Sequence, residues 1–319
     1  MYFDNRDAFL QPQVTQYGNH MVMTNVHKEK RVMHWNIDTQ FRDDYDSYAL
    51  TTSGGLIQGY TFTLPQPINN VRSITVNNAE IPISFYNISA ALGNNVMKFG
   101  STLVTVPNGF YTSATLKTAL NAILSVSSGL FFDISSNSNP YTSFRNTTGS
   151  PITISFAVTP SNTCSTVTKA GAGTVAADFD KYNVKSKLGW LLGFRSTNYT
   201  IASGATQGSE GLLDLSAPRY LYLVVDEFTN SNTNSFISPL PTSLVNKNIL
   251  AKITIDYAHY SFGQVITANP PNGLLISDCR CYNGKVNLQK LRVQLVNAYG
   301  TPIHLNGLDF SFCLEVEYE

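Results

Sequence analysis

Leu308-Asp309-Phe310-Ser311-Phe312-Cys313-Leu314-Glu315-Val316-Glu317-Tyr318 alternates bulky apolar and polar residues for eleven positions. Successive side chains of a β-strand point to opposite faces, so this period of two predicts a strand with one face packed and the other meeting water or a neighbouring molecule. Working back from it, Leu291, Val293 and Leu295 oppose Lys290, Arg292 and Gln294 in the same way, and Ile249, Ala251, Ile253 and Ile255 alternate with more polar positions. Residues 219–228 form a near-continuous apolar run, as expected of a central sandwich strand. In the first half, Tyr60–Leu64 reads as a strand stopped by Pro65 and Pro67, and Val71–Ile81 as a second one ending at Pro82. Val96–Phe99 and Leu103–Val106 read as a hairpin around Gly100-Ser101, followed by short strands at 130–135 and 152–158.

One helix interrupts this series. Leu116, Ala119, Leu120, Ile123 and Leu124 lie on one stripe, Thr112 or Ser113 stands at the N-cap and Gly129 at the C-terminal cap. Its expected role is to cover a sheet end or edge. Lys187-Leu188-Gly189-Trp190-Leu191-Leu192-Gly193-Phe194 is dense in bulky groups between glycines and is expected to be buried. Strands without the alternating helices of βαβ units predict an all-β, antiparallel β-sandwich, a single jelly roll with one inserted amphipathic helix and an extended N-terminal arm. The expected layout is an arm over residues 1–34 and one jelly-roll domain over 35–319, with the helix near 112–127 and a long loop near 159–187.

Composition limits the function. Charged residues are 13% of the 319, with 21 basic and 21 acidic groups, while 43% are hydrophobic and 12% aromatic. A polar but weakly charged surface has little long-range self-repulsion and suits a subunit that packs against copies of itself. A secreted lectin-like domain could share it. Residues 1–48 hold five basic and seven acidic groups, so the arm is not a polycation for phosphate and no direct nucleic-acid partner is expected. Cys164, Cys279, Cys281 and Cys313 are too few and scattered for a disulfide framework. The acidic, interrupted opening Met1–Asp7 does not read as a signal peptide, and no run of 18 apolar residues predicts a transmembrane segment. Sequons at Asn87, Asn146 and Asn198 are therefore read as chance matches.

Candidate chemistry is sparse. Gly171-Ala172-Gly173-Thr174-Val175-Ala176 fits a dinucleotide fingerprint letter for letter, but a Ser/Thr run precedes it where a strand is required. Cys279-Arg280-Cys281 puts two thiols on one strand face, yet the spacing is not that of a zinc site, and half-buried or core cysteine is the expected reading. His20, His27, His34, His259 and His304 show no ligand spacing. Asp43-Asp44 and Asp226-Glu227 point to opposite faces of a strand and read as solvated or turn positions. No nucleophile elbow occurs. No enzyme, catalytic residue, cofactor or metal is expected.

The same segments resemble a known family. Asn36–Asp43, Phe62-Thr63-Leu64-Pro65, Val71–Ile74, Ala79-Glu80-Ile81-Pro82, Val106–Thr112, Leu188–Arg195 and Tyr299-Gly300 leading to Asp309–Phe312 look like minor capsid and penton-type proteins of nucleocytoplasmic large DNA viruses. The resemblance runs from about residue 35 to the end. It implies a structural subunit of an icosahedral capsid, as a penton protein at five-fold vertices or as another minor capsid (cement) protein. Its partners would be itself, as a homopentamer, and the major and minor capsid proteins, with assembly in the host cytoplasm and residence in the virion. The alternative from a different class is a carbohydrate-binding or host-attachment jelly-roll module, for which Trp35 and Trp190 would be the first residues to consider.

Overall fold

The computed structural model describes residues 29–41, 60–127, 129–136, 138–158, 184–228, 248–298, 300 and 302–319. Residues 1–28 of the arm expected over 1–34, most of the expected loop at 159–187 and the glycine motif at 171–176 lie outside them. The described chain is an all-β antiparallel sandwich of the jelly-roll class, with one amphipathic helix inserted.

Its framework is one eight-stranded sheet. Along the path lie β1 (Arg31–Asp38), β15 (Ser311–Tyr318), β2 (Tyr60–Pro82), β14 (Arg280–Val296), β10 (Tyr220–Asp226), β11 (Ile249–Thr254) and β13 (Leu275–Ser277), and β12 (Val265–Ala268) pairs with the end of β2. Every ladder is antiparallel. The path curls back on itself. Ser277 Oγ of β13, at its far end, accepts a hydrogen bond from Val76 N of β2 at 3.0 Å. The curl encloses a core that includes Val71, Ile74, Ile81, Leu223, Ile253, Val293, Phe312 and Leu314.

Two expected strands prove to be one. Pro65 and Pro67 do not stop the first strand, which continues to Pro82 for 23 residues. Opposite them the register of β14 shifts, with Lys290 facing Thr63 and Leu288 facing Ile68. Five residues of β2 advance against two of β14, and this bulge takes up the missing donors of the prolines without ending the strand. β1 begins inside the arm expected over residues 1–34, since Arg31–His34 already pair with Tyr318–Glu315.

The apolar side chains gather in two large clusters and a small third one, and the chain between β2 and β10 supplies the second. It contains a four-stranded sheet of β4 (Thr102–Thr105), β3 (Val96–Phe99), β7 (Ile152–Ser155) and β8 (Asn198–Ile201), and a three-stranded sheet of β5 (Leu130–Ile134), β6 (Tyr141–Asn146) and β9 (Thr206–Leu212). The helix α1 (Ser113–Ser127) begins where Thr112 Oγ1 accepts from Thr115 N and Thr112 N donates to Thr115 Oγ1, and it buries Leu116, Leu120 and Leu124. It covers β5 and also seals that strand's edge. Asn121 on the helix accepts from Phe132 N and donates to Phe132 O, both at 2.8 Å, which closes an edge open to strange strands. Leu188, Leu192 and Phe194 are buried around the one-turn helix α2 (Leu188–Leu191), as the glycine-flanked run predicts. Its glycines have separate causes: a Cβ at Gly189 would enter the Phe156 ring, and Gly193, at φ +92°, lies against the carbonyl of Gly211.

Candidate assembly surface and buried polar cluster

Unpaired strand edges and exposed apolar side chains are the features of a β-sheet protein most open to a partner. β1 is an edge strand: β15 occupies one side, and among the described residues no strand pairs with the other. Ile37 is buried and Met33 and Trp35 pack on the core, while Arg31, Val32, His34 and Asn36 are exposed. Such an edge offers a row of backbone donors and acceptors to an incoming strand.

The ladders also gather exposed apolar groups at one end of the sheet. Asp38 faces Ser311, which faces Glu80, which faces Thr267, so β1, β15, β2 and β12 run side by side there. Thr39 N bonds Phe310 O and Thr39 Oγ1 donates to Asp309 at 2.9 Å, fixing the corner where β1 ends. Phe41, 74% exposed, and Leu308, 48% exposed, flank that corner, and Val265 and Phe262 continue the exposed series on the β12 side. Phe262 stacks on Phe110 at 5.0 Å and on Tyr86 at 6.1 Å, and Phe110 packs against the main core.

Several charged side chains are paired within the chain: Lys30 with Glu317, Arg72 and Lys285 with Glu319, Lys117 with Asp133 and Arg219 with Asp214. The tryptophans do not form open platforms. The Arg195 guanidinium lies 4.1 Å above the Trp190 ring, and Trp35 donates to Met33 Sδ.

Two expectations about chemistry-bearing residues are corrected. Glu227 is not a solvated turn carboxylate: it is buried, and its Oε1 accepts from Arg280 Nη1 at 2.6 Å and from the Tyr282 hydroxyl at 2.7 Å. Arg280 Nη1 also reaches Val225 O at 2.7 Å, while its Nε and Nη2 are buried without a hydrogen bond. Burial first, and the carboxylate beside it second, push the Tyr282 hydroxyl far up, so it remains a donor. The signal was in the period of two. Val225 faces inward, so Glu227 does as well, and Arg280 lies opposite in face to its two cysteine neighbours. The second correction concerns those neighbours: Cys279 and Cys281 are exposed, not core, and only Cys313 is half-buried.

Elsewhere the residues remain apart. His34 lies on β1, His259 pairs with Asp256, and His304 bonds Asn306; His20, His27, Cys164 and Asp43-Asp44 fall outside the described residues. Among the described residues no three His, Cys, Asp or Glu side chains form a cluster able to hold a metal. No described helix is long and apolar enough to cross a membrane. The Asn87 and Asn146 amides are buried and bonded to backbone carbonyls, while Asn198 is exposed.

No family model matches this chain, and neither does any curated protein. Among solved structures it is similar to the penton protein of mavirus, in its selenomethionine-labelled crystal form. The alignment covers 92% of this chain and 100% of that one at 9% identity, with a TM-score of 0.41. A likeness of that strength carries no argument about role, which has to rest on this molecule's own surfaces.

Proposed function

We propose that this protein is a structural, non-enzymatic subunit of an icosahedral viral capsid, and specifically a penton-type protein that forms homopentamers at five-fold vertices of a large DNA virus. The observation that carries the reading is the edge of β1, unpaired among the described residues and carrying exposed Val32, which ends at the exposed corner of Phe41 and Leu308 on a chain with few charges. An edge and an apolar corner on a weakly charged body favour packing against like bodies. The sequence resemblance to minor capsid and penton-type proteins points the same way, and its partners would be copies of itself and other capsid proteins in the virion.

The test is the mass of the purified full-length protein by analytical ultracentrifugation, with quantitative mass spectrometry of purified virions. A pentamer in solution, present at five-fold-vertex stoichiometry, is the expected result. A protein that stays monomeric at every concentration and is absent from virions would overturn the proposal. Virion copy numbers matching the faces, and not the vertices, would assign it to a cement position instead.

A further inference from the structure

Cys279 and Cys281 bracket the start of β14, and their Sγ atoms lie 3.5 Å apart on the exposed face of the sheet. Arg280 between them turns inward to its buried bonds with Glu227 and Val225. Across the ladder, Cys281 faces Ser73, and Ser73 faces Glu317, whose carboxylate accepts from Ser73 and pairs with Lys30. The thiol pair is therefore open to solvent, with one anion and one cation on the neighbouring strands.

From this geometry we propose that Cys279 and Cys281 form a reversible dithiol–disulfide couple, closed by exchange with a small-molecule disulfide. Residues i and i+2 of an extended strand have Cα atoms roughly 6.4–6.8 Å apart, near the upper limit of about 6.8 Å that a disulfide spans. The sulfurs need move only from 3.5 Å to about 2.05 Å. Closure is within reach but strained, and strained, exposed disulfides are the easily reduced ones. A permanent staple is not expected here. The inference stands independently of the capsid reading.

Both thiols are exposed and each lies against the other, so either can attack first, and the two orders give the same product. After losing its proton to water, Cys279 Sγ attacks one sulfur of the small disulfide, whose S–S bond breaks and releases one thiolate. Cys281, deprotonated in turn, attacks Cys279 Sγ of the mixed disulfide and expels the second. Both small thiolates take up protons. Two protein thiols are thus oxidised by two electrons, and one small disulfide is reduced to two thiols.

The experiment equilibrates the full chain with glutathione buffers of increasing oxidised fraction, quenches in acid, alkylates the remaining thiols and identifies the peptides by mass. The peptide with both cysteines is expected to be unalkylated and two hydrogens lighter in oxidised buffer, and to reopen fully in excess reduced glutathione. Cys279→Ser and Cys281→Ser should each trap glutathione on the remaining thiol, and Cys313→Ser should leave closure unchanged. Alkylation of both thiols at every ratio would overturn the proposal. So would a bond to Cys164, to Cys313 or between molecules, or a closed form that reduced glutathione cannot reopen.

Discussion

The buried residues with charge respond to mutation by different rules. Removing one partner of a buried ion pair leaves the other uncompensated, so Glu227→Ala should cost about 3 to 5 kcal/mol in chemical denaturation. Because two Arg280 nitrogens, Nε and Nη2, are already buried without a hydrogen bond, the pair is a weak source of stability. The double variant Glu227→Ala with Arg280→Met should recover much of that loss, and equal or additive losses would show the network to be stabilising. Lys187 is the complementary case: burial holds its amine below the ordinary value of 10.5, with Gly93 O at 3.3 Å as acceptor. In this window the unfolded chain binds the proton more readily than the folded one. The destabilisation is therefore complete below the folded-state value and vanishes as pH rises past the unfolded value. Lys187→Met should melt higher than wild type at neutral pH, with a gap that narrows on titration toward pH 10.5. A constant gap would remove ionisation as its cause. These residues were half legible in the sequence: Glu227 was read as a solvated or turn position although the period of two puts it on the face of Val225, and nothing in either segment shows that it meets Arg280, 53 positions away.

At the scale of elements, legibility followed how completely one strand's own pattern determines its partners. The C-terminal strand was read as observed from Phe310 to Val316, all buried on alternate positions, whereas Leu308 is exposed because the strand begins only at Ser311. Phe312, 1% exposed in the core between β1 and β2, should cost roughly 3 to 5 kcal/mol on replacement by alanine. A melt within a degree of wild type would take this strand out of the core. The continuous apolar run of β10 also has a physical reason: Leu221, Leu223 and Val225 face the main core while Val224 joins Ile249 and Val296 on the opposite face, after a register shift against β11. The unbroken β2 was not legible, since prolines end most strands and a bulge that accommodates them depends on β14, more than 200 residues away in sequence. For the same reason the two apolar clusters were not separated. A strand of either one shows the same alternation, and only pairing tells which sheet receives it.

For the whole molecule, the question is which force would bring copies together. An interaction built on several phosphate or ion contacts loses about a thousandfold or more in affinity between low and moderate salt. This chain has 21 basic and 21 acidic groups, and ion pairs such as Lys30 with Glu317 and Lys285 with Glu319 form within the single chain. Its unsatisfied features are of another kind, namely the edge of β1 and the exposed side chains of Val32, Phe41 and Leu308. Burial of apolar surface is not screened by ions, and strand-to-strand hydrogen bonds between neutral amides depend on salt only weakly. Association measured across a salt series should therefore hold or strengthen, with no requirement for DNA. Phe41→Ser and Val32→Lys should each weaken it while leaving the thermal melt of the subunit within a few degrees of wild type, because both side chains are exposed in the single chain. Strong weakening by moderate salt, or dependence on added DNA, would mean that charge drives assembly and that the neutral edge and corner are not the contact surface.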